Sequence, residues 1–399
     1  MDAAHPTDPV HSWHRLDGVD LLRGLAILFV LMNHVNMRLV IAHIPYGQAL
    51  PHQLLSAVVW NGQRGVQIFF AVSGFLITST TLRRWGTLFQ ISVRDFYLLR
   101  FARIAPLLLL LLTILSVLHF AHVPGFVVQA RTGGLGHALL AALTFHVNWL
   151  EASRGYLPGA WDILWSLSVE EAFYLFFPLV CRWFGPRKFG DGKRFGRGKL
   201  LFGILAAFII LGPLARTFFA HDNEVWREVS YLGGMDAIAL GCLTAILLPK
   251  LQLPRRGLLG VQITGIAIMF SILTLPLDFL ERTGLGMTVL AVGTCMVIAA
   301  VAQTRRKGWW IMRPVLWLGQ RSYEVYLTHM FVVFALFAMF LELRSPLRSV
   351  PVLFVSVVIL AGLLGEAVAR FYSEPMNRLL RARWGDGPKN LGSVINTVA

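Results

Sequence analysis

One apolar run of the chain, LLRGLAILFVLMNH, contains two ionisable side chains, Arg23 and His34. Eleven helical steps of 100° bring them within about 20° of one face, roughly 16 Å apart along the axis. They cannot touch, but they can hold two parts of one elongated ligand. A neutral imidazole at position 34 can take the proton of an attacking hydroxyl or accept an acyl group itself. An acyl-coenzyme A would place its phosphates at Arg23 and thread its pantetheine arm toward His34. The structural alternative is a snorkelling arginine and a histidine bonded to a nearby carbonyl.

A second basic pair, Arg100 and Arg103 in LLRFARIAP, stands at i, i+3 before another apolar run. Two guanidiniums on one helix face suit a phosphate group, and equally suit an ordinary membrane anchor. The segment WSLSVEEAFYLFFP is more demanding, because Glu170 and Glu171 inside an apolar helix must each be paired, protonated or facing water. Such a carboxylate can orient an imidazole or bind an acceptor hydroxyl. The two point about 100° apart, so one site takes at most one of them. Ser166 lies in the same segment. Ser322, Tyr326 and His329 form an i, i+4, i+7 stripe beside Tyr323, which fits either a cavity wall or helix-helix hydrogen bonding. Arg216 and Asp236 fall on sequential spans, where an ion pair is the structural alternative to a role for Asp236 in the site.

The elements that must position these residues are membrane helices. Of 399 residues 56% are hydrophobic and 14% charged, more apolar surface than a water-soluble core of this size can use. The net charge of +15 resides largely in short loops between apolar runs, which points to topology and anionic headgroups and away from nucleic acid. Cys181, Cys242 and Cys295 lie singly in apolar runs, the histidines lack ligand spacing, and neither a disulfide framework nor a metal site is expected. The first 20 residues carry no apolar core of a signal peptide and read as a cytoplasmic segment.

Apolar length gives eleven candidate spans, near 21–42, 65–82, 104–121, 137–150, 161–181, 200–220, 229–249, 257–275, 285–303, 322–341 and 351–372. Basic loops stay cytoplasmic. Two of them, holding Arg83, Arg84, Arg94, Arg100 and Arg103, and then Arg182 to Lys199, enclose three candidates where only an even number can cross. The 14-residue candidate at 137–150, with His137, His146 and Asn148, is therefore assigned as re-entrant or interfacial. The expectation is an all-α polytopic membrane protein with ten transmembrane helices plus that short segment. Its transmembrane domain covers 21–375, a basic tail covers 376–399, and both termini lie in the cytoplasm of an inner (plasma) membrane protein.

The ordered series LDGVDLLRG to His34, GVQIFFAVSGFLIT, RFARIAP, WSLSVEEAFYLFFP, MDAIALGCL, LGQRSYEVYLTH and SEP, from Leu16 to Pro375, resembles the acyltransferase-3 family of membrane acyltransferases. The resemblance implies ten core helices and transfer of acetyl or another short acyl group to polysaccharides, lipopolysaccharide, Nod factors or macrolides. It implies His34 as the essential histidine, Arg23, Arg100 and Arg103 as donor partners, and Glu170 as the better-matched carboxylate. Where many members run from LDG directly into LRG, this chain inserts Val19 and Asp20, an added acid close to Arg23. Some members append an extracytoplasmic hydrolase-like domain, and the ten spans consume nearly all of this chain. The expected reaction moves an acyl group from acyl-CoA, most simply acetyl-CoA, to a hydroxyl of a carbohydrate or glycolipid acceptor, with no tightly bound cofactor. The rival reading is a transporter or flippase of a sugar-lipid or anionic metabolite, with buried charges lining its route.

Overall fold

Apolar runs of about 20 residues find no backbone partner in hydrocarbon, so they satisfy their N–H and C=O groups internally, as helices. The computed structural model describes residues 16–49, 51–183, 197–219, 223–304, 308–343 and 346–384, and no strand occurs among them. Ten described helices are long and apolar enough to cross a membrane. They are α1 (Asp17–Ile41), α2 (Gly62–Trp85), α3 (Val93–Phe120), α4 (Gly159–Trp183) and α5 (Lys199–Phe218), then α6 (Val225–Lys250), α7 (Arg255–Thr274), α8 (Leu285–Thr304), α9 (Ser322–Leu341) and α10 (Leu347–Arg383).

The charge-parity argument thus arrives at the architecture observed. The excluded segment forms two short helices, Gly134–Leu143 and Val147–Arg154, broken at Phe145, whose φ is 56°. Ten residues of helix reach about 15 Å, half the hydrocarbon thickness. Several boundaries differ from expectation, most of all that of α3, which starts at Val93 instead of residue 104 and so carries Arg100 and Arg103 within the helix. Helix α1 starts at Asp17 instead of residue 21, with Asp17 and Asp20 in its first turn, where carboxylates complement the helix dipole. Helix α10 runs through Pro375 to Arg383, because the wide turn Ala369–Ser373 absorbs the break before the proline. The basic residues at 187–194, 305–307 and 389 lie outside the described residues.

Helix α2 is the most enclosed span: 67% of its apolar window is buried, against 22% for the peripheral α7. Its neighbour α6 approaches backbone to backbone. A Cβ on Gly74 would strike the Ile238 carbonyl, and one on Gly241 would strike the Ala71 carbonyl, so only glycine allows this approach. At the proline in α3, Pro106, the Tyr323 and Tyr372 hydroxyls donate to the Ile104 and Pro106 carbonyls at 3.3 and 3.2 Å. Helix α9 is thereby tied to α3 at the depth of Arg103.

The short helix pair is fastened from within. The Asn148 amide donates to the Val229 carbonyl, and the fully buried Glu151 accepts from the Leu157 backbone N–H at 3.1 Å. Its Oε2 has no hydrogen-bond partner among the described residues. Burial, and then the like charge of Asp162, hold the Glu151 carboxyl well above the ordinary carboxylate value. An acid whose pKa is raised on folding keeps its proton in the folded chain after the unfolded chain has lost it, so stability falls as pH rises above about 4.5. Glu151→Gln is expected to flatten that decline, so that thermal unfolding between about pH 5 and 8 becomes less pH-dependent. An unchanged slope in the variant would remove Glu151 as its source.

Candidate active site

The candidate site is built along one side of α1. Arg23 is buried, with Nε donating to Ser322 Oγ at 3.1 Å and Nη1 lying 3.5 Å from Asp20 Oδ1. Asp20 is therefore a direct partner of that arginine. A Cβ on Gly319 would strike the Asp20 carbonyl, so the short helix Arg313–Gln320, just ahead of α9, is held against the start of α1. From this fixed end the two helices run in the same direction.

Farther along, they bring two histidines together. His34 Nδ1 lies 2.8 Å from the Val30 carbonyl and 3.4 Å from His329 Nε2, with ring centroids 4.9 Å apart in an edge-to-face arrangement. His329 is fully buried, and its Nδ1 lies 2.7 Å from the Tyr326 carbonyl. A carbonyl oxygen can only accept, so each Nδ1 that faces one carries the proton of a neutral ring. His329 Nε2 is then a bare acceptor for a share of the His34 Nδ1 proton, and His34 Nε2 keeps its lone pair. The partly exposed His34 thus keeps one unprotonated ring nitrogen.

Beside this pair is a cavity of about 710 Å³ between α1, α2, α3, α4 and α9. Arg23, Arg100, Arg103, Glu170, Ser166 and Tyr323 all line it. At its inner end Tyr326 and Ser166 share a hydrogen bond of 2.7 Å, and the Tyr326 hydroxyl also donates to the Ile163 carbonyl at 3.0 Å. One helical turn past Tyr326 stands His329, with its ring 5.9 Å from that of Tyr326.

The charges in the wall are arranged in pairs. Arg100 Nη2 lies 2.5 Å from Glu171 Oε1, and its guanidinium lies 3.9 Å over the Tyr174 ring. Tyr174 in turn bonds Ser73 of α2. Arg103 lies 5.6 Å from the centroid of Tyr323. Glu170 and Glu171 therefore separate, as their 100° offset requires: Glu171 holds Arg100, while Glu170 faces the cavity. The ring recorded against His34 is His329, and Glu170 belongs to the cavity wall.

Asp236 belongs elsewhere. It is fully buried, 2.8 Å from Arg216 Nη2, and accepts from Thr288 at 2.5 Å and Gln67 at 3.1 Å, joining α2, α5, α6 and α8. No cluster of three or more His, Cys, Asp or Glu with metal-binding geometry occurs among the described residues.

Sequence reasoning overlooked the contribution of α2. Phe69, Ser73, Leu76, Thr80 and Arg83 recur at helical spacing and all line the cavity. That stripe was visible as polar residues at 73, 80 and 83 within an apolar helix. It also overlooked Arg381, which was assigned to a tail and lines the same cavity.

Comparison with known proteins adds an independent line. A profile of the family described as acyltransferase domain matches residues 16–366. The O-acetyltransferase OatA of Staphylococcus aureus (strain NCTC 8325 / PS 47) is 24% identical over 413 residues, covering 98% of this chain and 62% of that protein. OatA of strain MRSA252 aligns with the same identity and coverage. The chain spans about three fifths of the length of these curated relatives. No solved structure matches.

Proposed function

Because the chain belongs to the acyltransferase domain family, we propose that it moves an acetyl or other short acyl group from acyl-CoA to a carbohydrate hydroxyl, with His34 as the base. The observation that carries the reading is the His34 environment. Val30 and His329 engage Nδ1, which leaves Nε2 to accept the hydroxyl proton as the acceptor oxygen attacks the thioester carbonyl. The C–O bond forms, the C–S bond breaks, and the coenzyme A sulfur leaves with the electron pair. The names of the Staphylococcus aureus relatives support an oxygen acceptor and an acetyl group. Arg23, Arg100 and Arg103 supply positive charge for the donor's diphosphate, and Glu170 is the carboxylate available in the wall for a hydroxyl.

The orientation follows from the basic loops. The end of the bundle with Arg83, Arg84 and Arg94 faces the cytoplasm, where acyl-CoA is made, and with ten crossings both termini share that side. The test is thiol release by the purified protein in lipid vesicles from acetyl-CoA, with and without a bacterial polysaccharide acceptor. Release stimulated by the polysaccharide, with label recovered on it as a base-labile ester, is expected. Vesicles that never cleave acetyl-CoA yet carry labelled sugar-lipid across would replace the enzyme by a transporter.

A further inference from the structure

We propose that Arg83, Arg84 and Arg381, with Trp85, form an outer anion site of the cavity that takes the 3′-phosphate and adenine end of the acyl-CoA donor. The proposal rests on the donor reading above and specifies which part of the donor reaches which wall. All four residues line the same cavity as Arg23 and Arg103.

The argument begins with depth. Ser73 bonds Tyr174, whose ring lies under Arg100, so Ser73 marks the depth of the inner arginines. Helix α2 runs opposite to α1: a Cβ on Gly62 would meet Asn33 and one on Gly65 would meet Ala26 and Phe29, so its later residues point away from His34. From Ser73 to Arg83 is ten residues, about 15 Å farther out. From Arg23 to His34 is roughly 16 Å in the other direction. With the diphosphate at the inner arginines, the pantetheine arm runs toward His34, which lies past Tyr326 outside the cavity lining, and the nucleotide runs toward the outer tier.

At the outer end three guanidiniums, Arg83, Arg84 and Arg381, line the cavity with one carboxylate, Asp95. They come from two elements far apart in sequence, the end of α2 and the end of α10, which converge on one opening. Guanidiniums present forks of donors suited to a phosphate monoester, and an indole offers a face to a purine. A headgroup phosphate of an anionic lipid has the same chemistry, and the test separates the two sources.

Purified protein in vesicles is assayed with acetyl-CoA and with acetyl-dephospho-CoA, which lacks only the 3′-phosphate. Binding of adenosine 3′,5′-bisphosphate and of adenosine 5′-monophosphate is measured alongside, which needs no turnover. Wild type is expected to show a KM about 10- to 100-fold higher for the dephospho donor with kcat nearly unchanged, and to bind the bisphosphate more tightly. Arg83→Ala/Arg84→Ala and, separately, Arg381→Ala should raise KM for acetyl-CoA and lose discrimination between the donors. Arg83→Lys/Arg84→Lys should retain part of it, which controls for folding.

Equal KM values for both donors in wild type, together with equal binding of the two nucleotides, would overturn the outer site while leaving acyl transfer intact. Losses equal for both donors that scale with the anionic lipid content of the vesicles would assign the arginines to the membrane surface. A wild type inert toward acetyl-CoA that still prefers the bisphosphate would sink the transfer reading and keep the anion site.

Discussion

His34→Ala is expected to lower acyl transfer by about 10²- to 10⁴-fold, the range spanned by positioned general bases, while leaving donor binding near wild type. Nε2 is the His34 ring nitrogen that Val30 and His329 do not engage, and alanine removes it without touching the arginines of the cavity. Transfer of label from acetyl-CoA to polysaccharide, set beside binding of unreactive CoA, separates the two effects. Transfer by the variant at the wild-type level would end the assignment of His34. A burst of free CoA from wild type equal to the enzyme concentration, seen before acceptor is added, would change its role: Nε2 would then carry the acyl group itself.

The second large effect concerns folding. Arg216→Met is expected to destabilise the protein by about 3–5 kcal/mol, because it leaves the Asp236 carboxylate buried without a counter-charge, with only neutral donors from Thr288, Gln67 and the Ala237 backbone. Arg216→Met/Asp236→Leu should recover most of that loss, since an apolar pair of similar volume needs no charge compensation. Heat-induced loss of monodisperse protein in detergent, monitored by tryptophan fluorescence, reads both. At a temperature where the double variant remains folded, kcat should match wild type, because Asp236 lies outside the cavity lining. A double variant that is stable and inactive would restore Asp236 to the catalytic machinery.

The number of spans could be read from the sequence because two ordinary regularities intersect: apolar length proposes crossings, and the parity of basic loops removes one. The pairing of side chains could not be read. His34 and His329 are separated by 295 positions, and their meeting depends on α1 and α9 running side by side in the same direction from the Gly319 contact. Their types and helix faces were visible, but nothing in either segment specifies the other as partner. The two glutamates illustrate the same limit: their divergence follows from helix geometry, whereas the choice of Glu171 for Arg100 requires the distance between α3 and α4. Arg381 escaped notice for a local reason. Pro375 ordinarily ends a helix, and the wide turn that carries α10 past it has no marked sequence signal.

The Tyr326–Ser166 hydrogen bond at the inner end of the cavity has an electrical consequence. A bundle with a polar cleft reaching in from one face and a partly exposed imidazole one turn beyond it stands close to being a conduit. If water threaded past that tyrosine, protons would run down the potential across the membrane, and a thioester held nearby would be spent on hydrolysis. The Tyr326 ring, with Phe69 at 6.2 Å, stands at that point, so a donor arm that reaches His34 has to displace it and exclude water in its place.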